Sequence, residues 1–163
     1  MSNVETCDTD RNHLYPPFAA ALHETLAMAN QQCAPLWPEF SHWIMAEGYR
    51  SADRQDALFK HGRNGDTRDI VTDDPIPRKH GYGIAADCYP VTKGGVVAYR
   101  APHAVYAQYG HCARANGLEW GGDWPGRMSG DVGHIQMPNA YKAAHLAAIV
   151  AYARSQGLTT PEG

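Results

Sequence analysis

The sequence predicts one domain of mixed helices and strands, and three observations carry that prediction. Apolar residues recur at helical spacing in segments bounded by proline and glycine. Short runs rich in β-type residues lie between those segments, two of them entered from glycine-rich turns. A Lys93-Gly94-Gly95 turn lets Val96 to Tyr99 pair back on the run before it as a hairpin.

Taken in order, residues 1–14 are polar and read as a loose lead-in. Pro16 and Pro17 can open a helix that Pro35 ends, with Phe18, Ala21, Leu22, Leu26 and Ala29 on its buried face and His23 simply carried along. A strand over Trp43 to Tyr49 leads into a helix from Ala52 to His61. Residues 62–79 form a long irregular connection, whose Asp66, Asp69, Asp73 and Asp74 lack the spacing of a dedicated calcium loop. The stretch HGYGIAAD then enters a strand over Ile84 to Pro90. Pro102 opens a helix closed by Gly117, with Val105, Tyr109, Cys112 and Ala113 on one face and His103 and His111 read as surface or packing histidines. Leu118 to Trp120 is a short strand, GGDWPGRMSG a flexible loop, and GHIQM a strand entered from it. Asn139 is read as the cap of a last helix that Gly157 ends.

At 163 residues and 44% apolar composition the chain suits one domain over residues 1–163, large enough to bury a core. Seventeen acidic against fourteen basic residues give a net charge of -3, with no basic run, which disfavours nucleic acid as a partner. The opening MSNVETCDTD has neither a basic nor an apolar signal region, and nowhere is there an apolar run of about 18 residues. The expectation is a soluble, monomeric chain made in the cytoplasm without membrane insertion. Cys7, Cys33, Cys88 and Cys112 show no C-x-x-C spacing and read as reduced packing residues.

The chemistry concentrates in two places. In HGYGIAAD, His80 and Asp87 stand seven residues apart with Gly81 and Gly83 between them, so loop and strand can aim both side chains at one point. The other glycine-rich turn that sets a histidine beside a carboxylate is GDVGH, which offers His134. His80, Asp87 and His134 would supply the three protein ligands of a catalytic zinc site, leaving a fourth position for water. Cys88 follows Asp87 directly and would point to the other face of the strand. A carboxylate must still take the water's proton: Asp131, three residues before His134, is well placed, with Glu119 and Asp123 as rivals. In GYRSADRQ, Arg50 at a strand end could meet a carboxylate or a developing oxyanion, against the commoner role of surface ion pairing; Gln55 shares the ambiguity.

The ordered blocks GYRS, H-x-x-G-x-x-x-D, LEWGGDW and D-x-x-H-I-Q resemble the zinc D-alanyl-D-alanine carboxypeptidase family, and more narrowly its L-alanyl-D-glutamate endopeptidase branch known from bacteriophage endolysins. The resemblance covers roughly Trp43 to Pro138. It implies a hedgehog-like α+β fold with helices packed on one face of a small antiparallel sheet and zinc in a cleft. It implies one zinc ion on His80, Asp87 and His134, Asp131 as base, and Arg50 steadying the substrate or oxyanion; Gln55 and Trp120 are further substrate-contact candidates. Carboxypeptidases and dipeptidases of the family tend to have Glu where this chain has Asp131, which favours the endopeptidase branch. Two departures are Arg78, where the family often has Ser, and Ile135, where an aromatic is common. The expected activity is cleavage of the L-alanyl-D-glutamate bond of the peptidoglycan stem by a phage endolysin released through a holin lesion. The alternatives are a D,D-carboxypeptidase or dipeptidase and a non-catalytic zinc-stabilised binding module.

Overall fold

Helix α1 (Pro16–Leu36) starts on two prolines, whose missing N–H groups cost nothing in a first turn. Phe18, Leu22, Leu26, Ala29 and Cys33 form its buried face, joined by Thr25, which satisfies its hydroxyl on the Ala21 carbonyl at 2.7 Å. Pro35 lies inside the last turn, one residue before the helix ends, and the Trp37 N–H closes the helix on Cys33 O. The computed structural model describes residues 6–126 and 130–162. Residues 1–5 of the lead-in, and Arg127, Met128 and Ser129 of the GGDWPGRMSG loop, lie outside the described residues.

Four strands form one antiparallel sheet in the order β1-β2-β4-β3: β1 (Phe40–Glu47), β2 (Ala85–Thr92), β3 (Glu119–Trp120) and β4 (His134–Gln136). Helix α1 and helix α3 (His103–Ala115) pack together over one face of it. Trp43 of β1 stacks on Tyr109 of α3 at 4.4 Å between ring centroids and meets Tyr106 edge-on at 5.6 Å. Cys88 and Ile135 are fully buried in the same core, so Cys88 does face away from Asp87. The sequence-predicted hairpin partner at Val96–Tyr99 is reduced to a bridge, Val91 to Val97, flanked by the hydrogen bonds Thr92 N–H to Val96 O and Ala98 N–H to Pro90 O, while Val96 and Tyr99 stay exposed.

One irregularity in β1 matters for the site. Met45 pairs with Cys88 and Glu47 with Asp87, so Ala46 is an extra residue opposite a single step of β2. Strict alternation would put Glu47 on the core face with Trp43 and Met45; the bulge turns it to the face of Asp87.

The remaining elements frame this face. Helix α2 (Ala52–Phe59) is capped by Ser51, whose hydroxyl accepts from Arg54 N, and helix α4 (Asn139–Ser155) closes the chain. Asn139 is the first helical residue and Pro138 occupies the cap position, so no side-chain cap forms, contrary to the sequence reading. The lead-in also differs from expectation, for a tertiary reason. Leu14 is fully buried, a 3-10 turn spans Arg11–His13, Gly48 N–H donates to Asp8 O, and Tyr15 N–H donates to Gly83 O at 2.9 Å. Gly83 has φ 65°, and a Cβ there would collide with the His13 carbonyl, so a glycine is what lets the N-terminal segment lie against the turn that carries His80.

Candidate metal centre

His80 opens a 3-10 turn, His80–Tyr82, that ends at Gly83 and feeds β2, where Asp87 sits three residues into the strand's pairing. The register of β2 on β4 puts Asp87 directly opposite His134, and directly opposed residues project from the same face. Two stretches far apart in sequence are thus brought to one point by strand pairing and one tight turn.

His80 Nε2 lies 3.3 Å from His134 Nδ1 and 3.5 Å from Asp87 Oδ2, while His134 Nδ1 is 3.1 Å from Asp87 Oδ1. Among the described residues this is the group of side chains whose ligand atoms converge closely enough for a metal, all within 4.8 Å of one another. The outer ring nitrogens are engaged. His80 Nδ1 donates to Gly48 O at 2.6 Å, and His134 Nε2 donates to Gln136 Oε1 at 3.0 Å. With the protons held there, the inward nitrogens present lone pairs, so two imidazoles and a carboxylate point acceptors at one another. A cation resolves that arrangement, and the donor set of two imidazole nitrogens and one carboxylate oxygen fits a catalytic metal site. No cysteine takes part: Cys33, Cys88 and Cys112 are buried elsewhere and Cys7 is exposed.

Electrostatics bind the group together. Burial alone would raise Asp87, but His80 and His134 outweigh it and hold the carboxyl well below the usual range. Burial alone would lower His134, and the hydrogen bond and charge of Asp87 reverse that.

Around this trio lies a cleft of about 1150 Å3, walled on one side by residues of the 62–79 connection and on the other by Trp124 and Asp131. Asp131 passes its backbone carbonyl to His134 N–H at 3.2 Å, and its side chain lines the cleft beside the trio. Its carboxyl is pushed up, first by loss of surrounding water and then by the charge of Asp87, against the pull of His134, His80 and Arg50. The rivals lie elsewhere. Asp123 pairs with Arg114 on the surface at 2.7 Å, and Glu119 accepts from Gln136 Nε2 at 2.7 Å, one residue removed from His134.

Arg50 lines the cleft with its guanidinium committed to the protein. Nη2 donates to Glu47 at 2.6 Å and to Asp87 Oδ2 at 3.0 Å, Nη1 donates to Gln55 at 3.0 Å, and Nε is buried without a partner among the described residues. Glu47, which the sequence reading passed over, is the buried hinge of this array: its second oxygen takes Arg54 Nε at 3.0 Å. Gln55, only 2% exposed, joins Arg50 to the 62–79 connection by donating to Thr72 and to the Asp74 carbonyl. Asp66, Asp73 and Asp74 of that connection are engaged by Arg68, Arg63 and Arg78.

Trp120 corrects an expectation. It is 4% exposed in the core, Gly110 of α3 packs against its ring so closely that a Cβ would not fit, and its indole N–H donates to Val132 O at 2.7 Å. The cleft's tryptophan is Trp124, whose ring centroid stands 5.0 Å from that of His134.

Comparison with known proteins agrees with this geometry. Residues 78–137, which hold the whole trio and Asp131, match the family model described as D-alanyl-D-alanine carboxypeptidase. Over these residues the chain is similar to that family. It is similar to the peptidoglycan L-alanyl-D-glutamate endopeptidase CwlK of Bacillus subtilis (strain 168), 29% identical over 104 residues. That match covers 59% of this chain and spans 61% of the relative's length. In three dimensions the chain resembles the crystal structure of the Serratia marcescens L-Ala D-Glu endopeptidase ChiX with a TM-score of 0.56 at 21% identity, covering 86% of this chain and 96% of the other. The chain therefore shares with that structure an α+β fold, here built on a small antiparallel sheet.

Proposed function

We propose that the protein is a zinc peptidase that hydrolyses the L-alanyl-D-glutamate bond in the peptide stem of peptidoglycan. The observation that carries this reading is the convergence of His80 Nε2, His134 Nδ1 and Asp87 in a cleft that also holds the Asp131 carboxyl. The names of CwlK and ChiX support the choice of bond. Zinc, when held by this trio, supplies the Lewis acid that makes water nucleophilic near neutral pH and polarises a carbonyl.

The chain's own residues do the rest. Gly48 O and Gln136 Oε1 keep both histidines in the tautomer that turns a lone pair inward. Arg50 holds Asp87 from behind by its Oδ2, leaving Oδ1 toward His134, and its charge at the cleft wall steadies a substrate carboxylate or the oxyanion. Asp131, whose side chain lines the cleft beside the trio, accepts the proton of the attacking water and returns it to the amine that departs. Trp124 covers the His134 side of the cleft and limits access of bulk water.

Release as a phage endolysin through a holin lesion is part of the same proposal; no helix among the described residues is long and apolar enough to cross a membrane. Digestion of purified peptidoglycan, followed by mass spectrometry of the new termini, tests the function. New L-alanine carboxyl and D-glutamate amino termini are expected. Loss of terminal D-alanine instead would identify a D,D-carboxypeptidase, and undigested wall would identify a binding module.

A further inference from the structure

One end of the cleft carries charge that the chemistry above does not use. Lys79, adjacent to His80, and Lys142, in the first turn of α4, both line it. Lys79 Nζ donates to Met137 O at 2.9 Å; Lys142 Nζ sits 3.9 Å over the Tyr82 ring and 3.4 Å from Arg78 O. Among the described residues no carboxylate lies within ion-pair distance of either amine. Arg78 differs, since its guanidinium is taken up by Asp74.

Two ammonium groups have thus been brought to a cleft wall with carbonyls and a ring as their nearest partners. The end of α4 beside them is also open: Pro138 provides no side-chain cap, so backbone N–H groups of the first turn face the same region with the positive end of the helix.

We propose that Lys79 and Lys142 form a subsite for the free carboxylate of the stem's D-glutamate, on the departing side of the scissile bond. The assignment rests on the function proposed above. Glutamate has two carboxyl groups; the stem continues through one and the other stays ionised, so a substrate cut on the amino side of this residue brings one fixed negative charge next to the reacting bond. A stem whose free carboxyl is converted to the amide has the same shape without the charge, and two half-buried ammonium groups facing a neutral amide lose most of the interaction.

The test compares L-alanyl-γ-D-glutamyl-L-lysine with its glutamate α-amide, by cleavage rate and, separately, by calorimetric titration of the departing fragment γ-D-glutamyl-L-lysine and its α-amide. Wild type is expected to favour the acid forms by about ten-fold or more in kcat/KM and in binding. Lys142→Gln should reduce that preference through KM, and Lys79→Gln with Lys142→Gln should bring it close to unity. Lys142→Gln carries the test if the double variant folds poorly, because its amine makes no short hydrogen bond. Equal treatment of acid and amide by wild type, or an unchanged preference in Lys142→Gln, overturns the subsite. Discriminating, lysine-dependent binding of the fragment without cleavage of the L-alanyl-D-glutamate bond would keep the subsite and overturn the proposed reaction.

Discussion

His134 donates from Nε2 to Oε1 of Gln136, two residues along the same strand, at 3.0 Å. Gln136 can hold that orientation because its own amide nitrogen is engaged by Glu119 across the β3–β4 pair. The chain Glu119, Gln136, His134 therefore decides which imidazole nitrogen carries the proton. Gln136→Leu should keep the fold and weaken zinc binding by roughly 10- to 100-fold, the usual effect of losing such a partner. Competition with a chromogenic chelator measures it; an unchanged affinity would show that Gln136 does not set the tautomer.

Arg50 joins the site to the fold. Its guanidinium pairs with Glu47 and Asp87 at once, at side-chain exposures of 11%, 7% and 16%. Arg50→Ala should therefore cost about 3 kcal/mol of stability, the penalty for stranding a buried partner, as well as activity. Arg50→Lys should restore part of the stability and little activity, since one ammonium cannot reach Glu47, Gln55 and Asp87 at once. Urea denaturation and activity per folded molecule measure both; an Arg50→Ala protein as stable as wild type but inactive would mean that the guanidinium serves the substrate alone.

The trio was legible in the sequence because its information is local: a histidine before a glycine turn, a carboxylate one short strand later, and a second glycine turn ending in histidine. Glu47 was not, because its place depends on the bulge at Ala46, which reverses the face that period-two reading assigns. Trp120 and Trp124 flank one glycine-rich turn, and a two-residue strand is too short for alternation to say which ring goes inward. The order of the N-terminal segment is a tertiary effect: Leu14 is buried by elements more than thirty residues away, such as Gly48 and Gly83, which no pattern within residues 1–14 announces.

The cysteines offer a check on the ligand set. Cys88 is fully buried beside Tyr109 and its thiol is pushed up to about 12, with burial the main cause. Cys33 and Cys112 are buried as well, and only Cys7 is exposed. A thiol stays inert while protonated and enclosed, so a native protein at pH 8 should take up one equivalent of thiol reagent, at Cys7, and keep its zinc. Uptake of more than one equivalent, or release of zinc on labelling, would contradict the buried packing role of the other three or the absence of a sulfur ligand.

The account depends most on the proposed division of labour, in which the trio would hold metal and Asp131 would move the proton. Zinc content and turnover measured on the same preparations of wild type and Asp131→Asn test it directly. Asparagine keeps the size and polarity of the side chain but cannot accept the proton, so both proteins should carry one zinc while turnover of the variant falls by about two to four orders of magnitude. Near-normal turnover in Asp131→Asn, or loss of its zinc, would contradict the account.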